Sequence, residues 1–316
     1  MRRNQTHLRG VREVSEINNV CVVGAGTLGA RIALQSAIFG FDVTMVDCSQ
    51  EVLDGAAAEQ ASEGIDDHIA SDLATAGDRE QILSRIKLST ALEVAAAGAD
   101  IVIEAVTEDV AVKRQVFAAL DAAVPAHTIL ATNSSSIPVS MIESAVQRPD
   151  RVLNFHFVQG HWRLMFVELM RGSQTSDTTI GIMRDFAESI HAIPFILQKE
   201  HMGFIFNRIW RVIKKEVLRM LDEGVTTAAD IDRTWMLKHQ TTLGPCAIMD
   251  TIGLDVVRDI ENVYADASGD PSDRPPQLLH DMIARGELGV KSDKGFYTYP
   301  NPAFEHPGFL NGSNGG

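Results

Sequence analysis

Two side chains twelve residues apart, His156 and Glu168, are the residues in this sequence best suited to acid–base chemistry. The runs Arg151 to Phe157 and Phe166 to Met170 both predict strands, with His156 near the end of the first and Glu168 inside the second. If these strands are neighbours, the carboxylate meets one ring nitrogen of the imidazole and fixes its tautomer. The other nitrogen is then free as a base near neutral pH. Oxidation of a secondary alcohol needs such a base, which takes the hydroxyl proton as hydride leaves for an acceptor. Taken alone, each residue also fits a plainer assignment: a hydrogen-bonded core histidine and a solvated edge carboxylate.

A hydride acceptor is implied near the amino terminus. Val20-Cys21-Val22-Val23 reads as a buried strand, and Gly24, Gly26 and Gly29 follow as G-x-G-x-x-G with Thr27 and Leu28 between the last two glycines. A helical run to Phe39 and a second strand, Val43 to Val46, lead to Asp47, about 20 residues beyond the glycines. Gly24 permits a tight turn, Gly26 lets a pyrophosphate approach the backbone, and Gly29 lets the helix lie close on the strand. The free N–H groups of the helix start face the phosphates. Asp47 can accept from both ribose hydroxyls and would repel a 2′-phosphate, which favours NAD over NADP.

The remaining pattern must position these groups. Strands are predicted at Lys87 to Ser89, Asp100 to Val106, Thr128 to Ala131 and Pro194 to Leu197. Helices are predicted in the acidic stretch from Gln50 to about Arg85, at Ala111 to Ala123 with Lys113 on the polar side, and at Ser176 to His191. This alternation predicts an α/β fold: a Rossmann-type doubly wound sheet, residues 19–198, with ligands at the carboxyl ends of its strands. From 199 to 302 the strand signal vanishes and an all-α C-terminal domain is expected, its longest helix at Gly203 to Asp222. Residues 1–18 read as a flexible leader and 303–316 as a disordered tail. The basic run Arg208, Arg211, Lys214, Lys215 and Arg219 reads as a solvated helix face.

Composition narrows the function classes. A chain of 316 residues, 45% hydrophobic and 22% charged, is an ordinary globular composition with room for two cores. No apolar run approaches the ~18 residues of a membrane span. A net charge of −14 argues against nucleic acid and anionic membrane surfaces as partners. Three scattered cysteines, Cys21, Cys48 and Cys246, point to a reducing, cytoplasmic compartment and to no structural zinc. His161, His191, His201 and His239 have no ligand spacing, so no metal is expected.

Several further strings, in this order, resemble the L-3-hydroxyacyl-CoA dehydrogenase family, and the resemblance runs from Val20 to about Tyr299. They are the glycine turn, Glu104-Ala105-Val106-Thr107-Glu108, Thr132-Asn133-Ser134-Ser135 and Gly203-Phe204-Ile205-Phe206-Asn207-Arg208. Gly244-Pro245, Asp250, Gly253-Leu254-Asp255 and Gly295-Phe296-Tyr297 complete the set. The resemblance implies an NAD-dependent oxidoreductase in which His156 and Glu168 form the general base/acid pair. It further implies that Ser135 and Asn207 hydrogen-bond the substrate oxygen, that Glu108 lies on the nicotinamide side, and that Lys113 is close to cofactor or substrate. Glu108 and Lys113 equally fit ordinary charges at a helix start, and Asn133 either touches the cofactor or holds its loop. A homodimer through the C-terminal domain is also implied.

The sequence departs from the family pattern in two places. After His156 the family reads H-F-F-N-P, whereas here Phe157-Val158-Gln159-Gly160 precede the bulkier His161-Trp162-Arg163, and Met165 stands where Lys is common. The stretch Gln50 to Asp78 is acidic where the family carries basic residues towards the CoA nucleotide. Three readings follow: a 3-hydroxyacyl-CoA dehydrogenase, the same chemistry on a non-CoA 3-hydroxy or 3-keto compound as in diketoreductase-like relatives, and a non-catalytic NAD(H)-binding protein. The substrate in the first two is a small 3-hydroxy/3-oxo molecule.

Overall fold

The computed structural model describes residues 17–158 and 165–312. Expectations for the chain before residue 17, for Gln159, Gly160, His161, Trp162 and Arg163, and for residues 313–316 fall outside the described residues. The chain divides into two compact units, the first ending at Ile205 and the second starting at Phe206. This is later than the expected 198/199 boundary, because Leu197 and Phe204 pack with Met170 of the sheet.

The first unit is built on an eight-stranded sheet in the order β3-β2-β1-β4-β5-β6-β7-β8. Its strands are β1 (Asn19–Val23), β2 (Asp42–Val46), β3 (Ile86–Ser89), β4 (Ile101–Glu104), β5 (Ile129–Thr132), β6 (Val152–Val158), β7 (Phe166–Arg171) and β8 (Ile193–Ile196). Neighbours are parallel except β6 and β7, which are antiparallel. The apolar runs of β1, β4 and β5 are unbroken because both faces are covered. Val20 and Val22 enter one core, and Cys21 and Val23 enter the other. The covering helices include α1 (Thr27–Ile38), α2 (Gln50–Glu59), α3 (Ile65–Ala70), α4 (Arg79–Ser84), α5 (Leu92–Ala96), α6 (Val110–Ala123) and α7 (Asp177–Ser189). A π-helical turn, Gln60–Gly64, joins α2 to α3.

Ile17 and Asn18, expected in a flexible leader, are held in the fold: Ile17 is buried, and the N–H groups of Asn18 and Asn19 both donate to Asp100 Oδ2. Lys113 is not on a polar helix face. It is buried, because its ammonium donates to the buried Glu104 carboxylate at the end of β4.

The second unit contains α8 (Phe206–Asp222), α9 (Ala228–His239), α10 (Pro245–Ile252), α11 (Leu254–Ser268) and α12 (Gln277–Ala284) around one core. The longest helix begins at Phe206, not Gly203, since Gly203 and Phe204 have φ of +80° and +54°, outside the helical range. Its basic run is only partly a solvated face. Lys214 is buried against Glu261, and Arg211 and Lys215 reach Asp273. Phe309, expected in a disordered tail, is buried in this core, and its carbonyl accepts from Arg233 Nε.

Two buried carboxylates knit the second unit. Asp232 accepts the N–H groups of Cys246 and Ala247 at the start of α10 and the hydroxyl of Tyr297, each at 2.8–2.9 Å. Asp250 accepts the N–H groups of Phe296 and Tyr297 and the hydroxyl of Tyr299. Glycine is required beside them, for a Cβ on Gly244 would lie 2.4 Å from the Asp232 carboxyl carbon and one on Gly295 2.0 Å from Asp250 Oδ1. Burial pushes both acids above the usual carboxylate range, partly offset by these hydrogen bonds.

Removing the donor in Tyr297→Phe should therefore destabilise the protein by roughly 1.5–3 kcal/mol at neutral pH, the worth of a hydrogen bond to a charged group. The Tyr297 bond favours the ionised form of Asp232, so its contribution is present above the raised Asp232 pKa. The cost of the substitution should shrink as the pH falls through that value. Urea unfolding at neutral and mildly acidic pH measures both effects, and an equal cost at the two pH values would contradict the arrangement.

Candidate active site

The register of the antiparallel β6–β7 pair brings the imidazole and the carboxylate together. His156 on β6 is paired directly with Glu168 on β7. Phe155, Phe157, Val167 and Leu169 on either side of them all enter the core on one face. With a period of two, His156 and Glu168 must therefore share the opposite face. His156 Nδ1 lies 2.9 Å from Glu168 Oε2, and both residues are buried. The second carboxylate oxygen, Oε1, accepts the N–H of Ile205 at 2.9 Å. The ring of Phe204 lies on the imidazole, with centroids 4.8 Å apart and planes tilted by 34°. With Nδ1 turned to the carboxylate, Nε2 is the nitrogen left for a substrate.

The loop after β5 is fixed to the same strand. Asn133 Oδ1 accepts the N–H of Phe157, next to His156, so its side chain braces β6. Asn154 on β6 holds Val139 and Ile137 of the loop. Between these two ties Ser135 is exposed. Glu108 accepts from the hydroxyls of Ser134 and Ser136 and the N–H of Ser136, while Asp109 caps α6. Burial raises the Glu108 carboxyl, but these hydrogen bonds and the Lys113 ammonium outweigh it and leave it below the usual range. Lys113 Nζ is 2.6 Å from Glu104 Oε1, 3.3 Å from the Val106 carbonyl and 3.4 Å from Glu108 Oε2. Glu104 also accepts from Thr132 and the N–H of Val106, so β4, β5 and α6 meet at one buried ion pair. Asn207 belongs to the first turn of α8 in the second unit.

At the carboxyl end of β1 each glycine has a distinct constraint. Gly24 has φ of +102°, and a Cβ there would lie 2.6 Å from the Ala105 carbonyl oxygen. A Cβ on Gly29 would lie 1.8 Å from the Gly24 oxygen, so only glycine lets α1 pack this closely. A Cβ on Gly26 would meet nothing within 4 Å, so this glycine keeps a backbone face open and is not needed for packing. α1 has no side-chain cap and no acidic residue in its first turn, so its leading N–H groups, including those of Thr27 and Leu28, suit an anion. Asp47 ties the turn to β2: Oδ2 accepts the Ala25 N–H and Oδ1 the Ser49 N–H. These residues fit a dinucleotide. Among the described residues, no three His, Cys, Asp or Glu side chains gather as a metal site would require.

Sequence reasoning assigned no role to Asn154, and Glu104 and Phe204 stood there only within the strings that carry the resemblance. A buried acid at a strand end and a left-handed phenylalanine leave no periodic signal, though Gly203 before Phe204 hints at a turn.

Comparison with known proteins places the chain in a family. Residues 19–200 match the model of the 3-hydroxyacyl-CoA dehydrogenase NAD-binding domain, and residues 203–299 that of the 3-hydroxyacyl-CoA dehydrogenase C-terminal domain. A probable 3-hydroxybutyryl-CoA dehydrogenase of Bacillus subtilis is 36% identical over 90% of this chain and 98% of its own length. A crystal structure of the (S)-3-hydroxybutyryl-CoA dehydrogenase of Ralstonia eutropha aligns with a TM-score of 0.83 at 35% identity, covering 90% of this chain and all of that one. A diketoreductase described as acting on dicarbonyl compounds aligns with a TM-score of 0.79 at 32% identity, over 90% of this chain and 99% of its own. With both halves matched, the chain belongs to the 3-hydroxyacyl-CoA dehydrogenase family, oxidoreductases that act on a CH–OH group with NAD.

Proposed function

We propose that the protein interconverts a 3-hydroxyacyl-CoA and its 3-oxo form, with His156 as general base and acid and Glu168 as its orienting partner. The observation that supports this most is the buried 2.9 Å contact between His156 Nδ1 and Glu168 Oε2. Gly24, Gly26, Thr27, Leu28, Gly29 and Asp47 would hold NAD, which when bound would supply the acceptor for the hydride. In the oxidation His156 Nε2 takes the hydroxyl proton, and Glu168 stabilises the imidazolium that results. In the reduction the same imidazolium returns the proton. Ser135 and Asn207 would hydrogen-bond the substrate oxygen, while Glu108, Lys113 and Asn133 shape and brace the cofactor end.

One observation favours a second substrate class. Glu51, Asp54, Glu59, Glu63, Asp66 and Asp67 line α2 through α3, and the first basic side chain after them, Arg79, is paired with Asp66. This field would repel the CoA phosphates by a modest, salt-screened amount. A free 3-keto acid or ester would not feel it as strongly. We further propose a cytoplasmic homodimer formed through the C-terminal unit. Free Cys21, Cys48 and Cys246 support a reducing compartment, and exposed Ile209 and Val212 on α8 with Val256, Ile260 and Val263 on α11 support an apolar contact. No described helix is long and apolar enough to cross a membrane. Sedimentation at the mass of one chain would remove the dimer.

NADH oxidation followed by absorbance, with acetoacetyl-CoA beside a simple 3-ketoester, tests the substrate. The proposal predicts the higher kcat/KM for acetoacetyl-CoA, and preference for the free ester would select the second class. In the same assay His156→Gln should lose about 100-fold or more of kcat, the scale of general acid–base catalysis, with NADH affinity nearly unchanged. An active variant would place the base elsewhere.

A further inference from the structure

The segment that closes over the imidazole is strained. Gly203 and Phe204 both have positive φ, and for a residue as bulky as phenylalanine a φ of +54° persists only where surrounding contacts impose it. Three contacts do so here. The Phe204 N–H donates to the His201 carbonyl, the next N–H, on Ile205, donates to Glu168 Oε1, and the Phe204 side chain is buried with Met170 and Leu197. A residue that merely filled this space could do so from an ordinary backbone conformation. The turn instead lays an aromatic face on the His156 ring, 4.8 Å from it, and the carboxylate that pins the turn also holds Nδ1.

We propose that Phe204 is a positioning residue of this reaction, whose ring keeps the His156 imidazole on the Glu168 carboxylate and favours the imidazolium once the proton is taken. The proposal rests on the reading of His156 as the base. The physical basis is twofold. A ring held at Nδ1 alone can still tilt about that bond, and a buried aromatic face resists the tilt. The same face carries negative quadrupolar charge, which attracts a cation, and both rings are buried. Among the described residues the charged partner of the ring is Glu168 on β7, so the imidazolium is held by a carboxylate at its edge and by the Phe204 ring against it.

The test is kcat for acetoacetyl-CoA with NADH across pH, for wild type, Phe204→Leu, Phe204→Tyr and His156→Gln, with NADH affinity measured for each. Phe204→Leu fills most of the volume without a ring face. It should lower kcat by about tenfold at little change in NADH affinity. It should also move the alkaline limb, where the imidazolium is lost, to lower pH by about half a unit. Phe204→Tyr keeps the face and should recover most of the rate. Should the leucine variant not fold, Phe204→Met takes its place. An unchanged rate and limb in the aliphatic variant would overturn the proposal, as would equal losses in the leucine and tyrosine variants. An inactive His156→Gln alongside either result leaves the base assignment standing, whereas an active one removes the base assignment itself.

Discussion

The Glu168 carboxylate is the interaction on which the rest of the site depends. Its two oxygens have different duties: Oε2 receives the imidazole of His156, and Oε1 receives the N–H of Ile205. Fully buried, it would be costly to leave without such partners. Its location follows from the antiparallel pairing of β6 with β7, which sets His156 and Glu168 opposite one another on one face. A slip of one residue in that register would send one of the two into the apolar core.

The nucleotide end obeys a different constraint, close backbone approach. Gly24 and Gly29 are needed because neighbouring carbonyl oxygens leave no room for a Cβ, and Gly26 because the space in front of it stays open. The Asp47 carboxylate and the buried Glu104–Lys113 pair then fix the ends of β2 and β4. Rigid strand ends of this kind are where an open α/β sheet holds ligands. Asn133 and Asn154 carry the same rigidity across to β6 and so to His156.

Much of this was legible in the sequence. Val-rich strands, the glycine spacing and Asp47 fixed the doubly wound fold, because each obeys a local rule of period or turn. The His156 and Glu168 pairing could be read from two strands and their spacing, though only the register shows that they are direct partners. What was hidden depended on distant neighbours. Lys113 read as a polar helix residue because its partner Glu104, nine positions away on a predicted strand, is joined to it only by the packing of α6 on the sheet. Gly244, Asp250, Gly295 and Tyr297 belonged to the resemblance, yet the structure uses them in a buried acid network of the helical unit. Phe204 fitted the apolar pattern of a helix start, and only its backbone angle separates it from one.

The central claim is that Glu168 fixes the proton of His156 on Nδ1 and leaves Nε2 free. The most direct measurement is the ¹⁵N spectrum of ring-labelled histidine, with the His156 signals assigned by difference from His156→Gln. In the neutral ring, a protonated Nδ1 and an unprotonated Nε2 are predicted. A proton on Nε2 with a bare Nδ1 would contradict the account.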